Sequence, residues 1–218
     1  MSAALSTLNS AAPLLLVGSG NMGGALLRGW LAQGLDPRAV VVQDPSPPEP
    51  MREVLTRHGI AVHADTAALA GPPKVILLAV KPQIMDAVAA PLGKVAGQET
   101  VVLSVAAGRT IESLARHFPA GTAIVRSIPN TPSSVGRGIT VATTNAHVTA
   151  SQRELCEGLL GCIGEVAIVD DERLIDPSTA VSGSGPAYVF LLAECMTAAG
   201  EAVGLPPDLA ARLARATV

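Results

Sequence analysis

The chain has 218 residues, 49% of them hydrophobic, which suits one domain of roughly 150 residues with a smaller partner. Aromatic residues make up only 2% of the sequence, so little is available on which the bases of single-stranded nucleic acid could stack. The formal net charge of −3, without a basic run, argues against binding to a phosphate backbone and favours a small-molecule partner.

The first 13 residues and the cysteines bear on cellular location. Residues 1–13 lack the basic start and continuous apolar run of a signal peptide, so we expect a disordered or weakly ordered leader there. No apolar run reaches the length of about 18 residues that spans a bilayer. The three cysteines have no metal-ligand spacing and are typical of reduced structural thiols. The sequence therefore predicts a cytoplasmic protein that binds no nucleic acid, membrane or metal.

Eight short apolar runs predict the strands of a parallel sheet. Most are β-branched and lack polar alternation, which is typical of strands covered on both faces. Helical patterns separate them, and Thr149 with Gln152 predicts a capping box for one helix. This alternation predicts a Rossmann-type doubly wound α/β domain over residues 14–172. The eight runs are residues 14–17, 40–42, 60–62, 75–80, 100–105, 123–127, 139–142 and 166–169.

The pattern changes after residue 172. Residues 186–203 predict a long alanine-rich and apolar helix, preceded by the sequence SGSG, and a second helix begins at Asp208. A helix that is apolar over most of its surface must be buried on several sides. We expect residues 173–218 to form a small all-helical domain that packs on the sheet domain, on a second subunit, or on both. Its last helical pattern is still running at Val218, so we expect this domain to be incomplete at its C-terminal end.

The sequence GSGNMG lies directly after the first predicted strand and directly before a helix. In such a GxGxxG fingerprint, Gly18 makes the tight turn, Gly20 lets a pyrophosphate approach the backbone, and Gly23 lets helix and strand pack closely. The N–H groups at the helix N-terminus then bind the phosphates. The alternative is a sharp turn without a ligand, but the strand-to-helix context favours a dinucleotide site.

The choice of dinucleotide depends on the end of the second strand. Asp44 lies where an acid accepts the ribose 2′-hydroxyl, which favours NAD. Ser46 could instead bond a 2′-phosphate, and Arg52 lies within reach of the same loop. Asp44 could also be an ordinary turn residue before Pro45. The sequence therefore leaves both NADP and NAD open as the cofactor.

Three further strand ends carry residues that could face the same ligand. The sequence AVKP places Lys81 at the carboxyl edge of the sheet, because the proline imposes an extended conformation on the residue before it. The small residues at 104–108 leave room for a flat ring, and RSIPNTP presents Asn130 in a rigid loop. The alternatives are a solvated lysine, simple close packing and a plain turn.

Residues 174–211 contain no Lys, Arg or His. A hydroxy-acid dehydrogenase needs a general base near the nicotinamide, so that activity is disfavoured. An imine can arrive protonated and accept a hydride without a strong acid from the enzyme. Reduction of an imine is therefore less demanding for this chain than oxidation of an alcohol. A non-catalytic, dimerising dinucleotide-binding protein is the alternative if the chain ends at Val218.

Five segments together resemble the pyrroline-5-carboxylate reductase family. They are GSGNMGGAL, LLAVKPQ, VLSVAAGRTI, RSIPNTP and VSGSGPAYVF, and the resemblance extends over residues 14–218. It implies a Rossmann-type domain and a helical domain through which two subunits interlock, often within larger rings of dimers. It also implies hydride transfer from NAD(P)H to the C=N bond of 1-pyrroline-5-carboxylate, which gives L-proline.

The resemblance also implies where the site lies. Asn130 and Glu172 are expected near the substrate, and Glu172 matches an acid that precedes the helical domain. Thr66 stands where the family commonly has asparagine. No catalytic residue is assigned. The implied dinucleotide contacts are Gly18, Ser19, Gly20, Asn21, Met22, Asp44, Ser46, Thr66, Ala79, Val80, Lys81, Pro82, Ala106 and Ala107.

Overall fold

A computed structural model describes residues 8–65, 69 and 71–218, and within these residues eight strands form one sheet. All eight predicted strands are present, although two of them are shorter than predicted. They are β1 (Leu14–Val17), β2 (Val40–Gln43), β3 (Ala61–His63), β4 (Val75–Leu78), β5 (Val101–Ser104), β6 (Ala123–Pro129), β7 (Gly138–Thr144) and β8 (Gly164–Ile168). The order across the sheet is β3-β2-β1-β4-β5-β6-β7-β8.

The direction of the strands differs from the prediction at one place. Strands β1 to β6 are parallel, but β7 runs antiparallel to β6, with Val125 opposite Thr144 and Pro129 opposite Thr140. Strand β8 then pairs with β7 in parallel. The chain between β6 and β7 is only residues 130–137, and a parallel crossover needs a dozen or more residues. The expectation of a wholly parallel sheet is therefore wrong at this connection.

Helices cover both faces of the sheet, which confirms the doubly wound α/β fold. The helices are α1 (Asn21–Ala32), α2 (Glu49–His58), α3 (Met85–Leu92), α4 (Ile111–Ala115), α5 (Ala150–Gly161), α6 (Ile175–Ser178), α7 (Gly185–Ala202) and α8 (Pro207–Thr217). Helices α1, α2 and α5 pack on one face, and α3 and α4 pack on the other. The buried Trp30 joins α1 to α5, because its Nε1 donates to the carbonyl of Leu159 at 2.8 Å. The predicted capping box at Thr149 is present at the start of α5.

Residues 8–13 pack against the core of the sheet domain. Leu8 and Ala11 are 1% and 0% exposed, and the side-chain oxygen of Asn9 accepts from the backbone N of Asp36 at 3.0 Å. Burial of these two apolar side chains stabilises the segment in a fixed position. The expectation of a disordered leader is therefore wrong for residues 8–13, and residues 1–7 lie outside the described residues.

The helical part after residue 172 is continuous through the SGSG sequence. A π-helical turn, Thr179–Gly183, connects α6 to α7, and Ser184 keeps helical dihedral angles of φ −86° and ψ −22°. The backbone N of Ser184 bonds the carbonyl of Thr179 at 2.9 Å, which is the five-residue spacing of a π-helix. Small residues suit this wider turn because they carry no bulky side chain. The predicted helices at 186–203 and from Asp208 onward are confirmed as α7 and α8.

Helices α7 and α8 pack on each other and leave an apolar face open. Tyr188, Phe190 and Leu191 of α7 are 61%, 63% and 58% exposed. A cavity of about 690 Å³ lies between the two helices, with Phe190 and Val218 in its lining. As predicted for a helix that is apolar over most of its surface, α7 has more apolar surface than this chain alone covers.

The cysteines are free thiols. Burial raises the pKa of the Cys156 thiol to about 12 and that of Cys162 to about 11, so both stay protonated near neutral pH and are poor nucleophiles. Among the residues that the structure describes, no group of three His, Cys, Asp or Glu side chains is placed to hold a metal ion. None of the described helices combines the length and apolar character needed to cross a membrane.

Candidate dinucleotide site

The predicted site residues lie mainly after five neighbouring strands. Strands β2, β1, β4, β5 and β6 are adjacent and parallel, so their carboxyl ends meet at one edge of the sheet. Open α/β sheets bind ligands at this edge. Thr66 lies outside the described residues. Gly18 to Met22 follow β1, Asp44 and Ser46 follow β2, Ala79 to Pro82 follow β4, Ala106 and Ala107 follow β5, and Asn130 follows β6.

The three fingerprint glycines have different surroundings. Gly18 has a φ of +88°, and a Cβ atom on it would lie 2.8 Å from the carbonyl oxygen of Ala79. A Cβ atom on Gly23 would lie only 2.1 Å from the carbonyl oxygen of Gly18. In contrast, a Cβ atom on Gly20 would meet nothing within 4 Å. The open space above Gly20 is what a ligand lying against the backbone requires.

The N-terminus of α1 is suited to an anion. The helix begins at Asn21 with no side-chain cap and no acidic residue in its first turn. Its backbone bonding starts with Gly24, whose N–H donates to the carbonyl of Gly20 at 2.7 Å. The N–H groups before Gly24 have no acceptor within the helix, and the helix dipole favours negative charge there. With the open space above Gly20, these residues fit the pyrophosphate of a dinucleotide.

The carboxylate of Asp44 is held beside the glycine turn. Its Oδ2 accepts from the backbone N of Ser19 at 2.8 Å and from the Ser19 hydroxyl at 2.7 Å. Its Oδ1 accepts from the backbone N of Ser46 at 2.9 Å. Ser19 is 1% exposed, so its hydroxyl is a fixed donor. The negative charge of Asp44 is thereby fixed between the ends of β1 and β2.

The loops after β4 and β5 are joined by Arg109, a residue that the sequence analysis did not identify. Its Nη1 bonds Asp86 at 2.9 Å, and its Nε donates to the carbonyl of Pro82 at 3.2 Å. Asp86 also lies 2.9 Å from Nε2 of His117. Hydrogen bonds from Arg109 and then His117 hold the pKa of Asp86 below its usual value. Lys81 is exposed and has the extended backbone that was predicted.

Both the oxygen and the nitrogen of the Asn130 side-chain amide make hydrogen bonds. Its Oδ1 accepts from the backbone N of Ile139 at 2.9 Å, and its Nδ2 donates to the carbonyl of Ser182 at 3.1 Å. Ser182 belongs to the π-helical turn, so Asn130 connects the end of β6 to the helical segment. These bonds fix the loop that the prolines were predicted to make rigid.

Glu172 lies on the linker after β8 and reaches the start of α4, which follows the carboxyl end of β5. Its Oε1 accepts from the backbone N of Ile111 at 2.8 Å and from Nη1 of Arg126 at 3.0 Å. Arg126 is a second residue that the sequence analysis did not identify. The signal was present in the run AIVRSI, because an arginine within a buried strand requires a charged partner.

A doubly wound sheet with a glycine turn fitted to a pyrophosphate defines a dinucleotide-binding domain of the oxidoreductase type. Two family models match the chain. One is described as NADP oxidoreductase, coenzyme F420-dependent, and matches residues 14–108. The other is described as pyrroline-5-carboxylate reductase dimerisation and matches residues 172–218.

The chain belongs to the pyrroline-5-carboxylate reductase family. It is 38% identical to the pyrroline-5-carboxylate reductase of Pseudomonas aeruginosa over 200 residues, which cover 92% of this chain and 73% of that protein. A solved reductase from Coxiella burnetii matches with a TM-score of 0.86 and 32% identity over 95% of this chain and 77% of the other. A Plasmodium falciparum pyrroline carboxylate reductase with NADP bound matches with a TM-score of 0.81 and 27% identity, over 96% and 76% of the two chains. The resemblance drawn from the five sequence segments is confirmed.

Proposed function

We propose that the chain reduces 1-pyrroline-5-carboxylate to L-proline with NAD(P)H, the reaction of proline biosynthesis after which its relatives are named. The observation that carries the proposal is the glycine turn at the carboxyl edge of the sheet, with open space above Gly20, in a chain of this family. The loops containing Lys81, Ala106 and Asn130 border the same edge. The cytoplasmic location remains a prediction.

The roles of the residues follow from their places along this edge. When bound, the dinucleotide supplies a hydride to the C=N carbon. Residues 18–22 would hold its pyrophosphate, Asp44 and Ser46 its adenosine ribose, and the loops at 79–82 and 106–107 its nicotinamide end. The substrate nitrogen is protonated before reduction, so these residues need only orient the ring and exclude water. Substrate contacts at Asn130 and Glu172 remain predictions.

We further propose that the dinucleotide is NADH in preference to NADPH. The carboxylate of Asp44 is fixed beside the glycine turn, and a 2′-phosphate on the ribose that we assign to this position would bring a second negative charge beside it. The nearby Arg52 is engaged within its own loop, since its Nε donates to the carbonyl of Pro47 at 2.8 Å and its Nη1 lies 3.2 Å from Glu49. These contacts support selection against the 2′-phosphate.

The partner that suits the open face of α7 is a second copy of this chain. The segment matches a family model described as a dimerisation domain, and its exposed face carries Tyr188, Phe190 and Leu191. Large apolar side chains of this kind are typical of the core of an obligate interface. We propose a homodimer, or a larger ring of such dimers.

Steady-state assays test the reaction and the cofactor choice together. The chain is given 1-pyrroline-5-carboxylate with NADH or NADPH, and in parallel a 2-hydroxy acid with NAD. We expect proline formation that is more efficient with NADH, and no oxidation of the hydroxy acid. Dinucleotide binding without turnover of any substrate would instead support a non-catalytic binding protein. Light scattering on the same sample tests for the dimer.

A further inference from the structure

Arg126 is a buried cation that none of the roles proposed above uses. Its side chain is 3% exposed, and it reaches two acids of the linker and α6. Nη1 lies 3.0 Å from Glu172, and Nη2 lies 2.7 Å from Asp176. Its Nε is buried with no partner among the described residues. A buried guanidinium is costly unless it is paired, so these two acids fix the segment from 172 to 176 against strand β6.

The carboxylate of Glu172 extends this link to the loop after β5. The same Oε1 that accepts from Arg126 also accepts from the backbone N of Ile111 at 2.8 Å. Ile111 is the first residue of α4 and follows directly on residues 105–110, the loop that contains Ala106 and Ala107. One oxygen atom therefore joins strand β6 to the end of a loop that borders the nicotinamide end of the site.

The glycine end of the same edge is held by different contacts. Its turn is fixed by backbone contacts of Gly18 and Gly23 and by the carboxylate of Asp44. Strands β4 and β5 separate these residues from β6. Loss of the bonds made by Arg126 should therefore disturb the nicotinamide end and leave the adenosine end in place.

We infer that Arg126 and Glu172 are a positioning pair, which holds the loop of residues 105–110 in the orientation that receives the nicotinamide ring. Neither side chain touches the ring; both act through the backbone of Ile111. The inference rests on the proposed dinucleotide site but not on the identity of the substrate. Its test is therefore a binding measurement with two ligands that differ only in the nicotinamide group.

The experiment compares NADH with ADP-ribose, which lacks the nicotinamide, by calorimetry on the whole chain. In Arg126→Met we expect affinity for NADH to fall by about tenfold, with affinity for ADP-ribose unchanged within about twofold. If the reductase activity is present, kcat should fall by up to about a hundredfold, since small misplacements have large effects on rate. The matched control is Arg173→Met, because Arg173 pairs with Asp171 on the same linker but is 90% exposed. It should bind both ligands normally.

A second variant covers the case in which Arg126→Met does not fold. The double change Arg126→Leu with Glu172→Leu removes the buried cation together with its partly exposed partner and should restore stability, because Asp176 is largely exposed and can remain charged. The positioning role predicts that the double variant, like Arg126→Met, loses affinity for NADH but keeps its affinity for ADP-ribose. Equal loss for both ligands, or full recovery of NADH affinity in the stable double variant, would overturn the inference. Failure to turn over pyrroline-5-carboxylate leaves this result unaffected.

Discussion

At the carboxyl edge of the sheet, the glycine end and the nicotinamide end of the proposed dinucleotide site are built from different interactions. At the glycine end, backbone atoms are so close that a single added methyl group would overlap a carbonyl oxygen. At the nicotinamide end, the loops are joined by charged side chains, chiefly Arg109 and Arg126. Close packing is sensitive to added volume, whereas ion pairs are sensitive to loss of charge. The same edge should therefore respond to two different classes of substitution.

The largest effect is expected for Gly23→Ala. Its Cβ would lie 2.1 Å from the carbonyl oxygen of Gly18, and a backbone atom in a tight turn cannot move aside cheaply. We expect the free energy of unfolding to fall by about 3 kcal/mol, measured by urea denaturation. Gly24→Ala is the matched control, because the atom nearest its Cβ would be the flexible end of Met51 at 2.7 Å, and the nearest backbone atom, the carbonyl oxygen of Ser19, would lie 3.3 Å away. It should change stability by less than about 1 kcal/mol. Equal loss in both variants would contradict the backbone-packing account.

Gly20→Ala should separate ligand binding from folding at the same turn. A Cβ there would meet nothing within 4 Å, and the φ of −66° suits alanine, so the melting temperature should stay close to that of the parent. The added methyl group would occupy the space expected for the pyrophosphate. We expect affinity for NADH, measured by calorimetry, to fall by about tenfold or more. Normal NADH binding by this variant would mean that the ligand does not lie over Gly20.

The glycine end could be predicted from sequence because its parts are local. Gly18, Gly20 and Gly23 lie within six residues, and the strand before them and the helix after them are both readable from hydrophobic pattern. The alternation of strands and helices likewise indicated the doubly wound fold. Strands β7 and β8 differed in direction, and there the short connection after β6 decided the pairing.

The nicotinamide end could be predicted only in part, because its contacts are distant in sequence. Arg126 and Glu172 are 46 positions apart, and Arg109 reaches back 23 positions to Asp86. Hydrophobic periodicity carries no information about such pairs. The resemblance directed attention to Glu172 as a residue near the substrate, but it could not indicate that its carboxylate bonds Arg126 and the backbone of Ile111.

A smaller effect, on selectivity, is expected for Asp44→Asn. The amide oxygen can take the place of Oδ2 and accept both bonds from Ser19, which should keep the glycine turn in position. The variant loses the negative charge and the bond from the backbone N of Ser46. We expect the ratio of NADPH to NADH affinity to rise by about tenfold, measured by calorimetry with both dinucleotides. Asp36→Asn is the control, since Asp36 bonds Arg38 at an exposed turn outside the edge and should leave the ratio unchanged. An unchanged ratio of NADPH to NADH affinity in Asp44→Asn would contradict the proposed preference for NADH.

The smallest effect is expected for Asp86→Asn, which weakens the link from Arg109 to the first turn of α3, directly after the loop that follows β4. Because Arg109 and then His117 lower the pKa of Asp86 in the folded chain, its ionised form stabilises the fold above the ordinary value of 3.8. That contribution is lost as pH falls through the lowered pKa. The variant should therefore melt slightly below the parent near neutral pH, and the difference should close in acid. Thermal melts of the parent and the variant, from neutral pH into acid, test whether the difference in melting temperature changes in this direction. A difference that persists well below pH 3.8 would show that the carboxylate charge is not what joins these loops, and the contrast between the two ends would then rest on Arg126 alone.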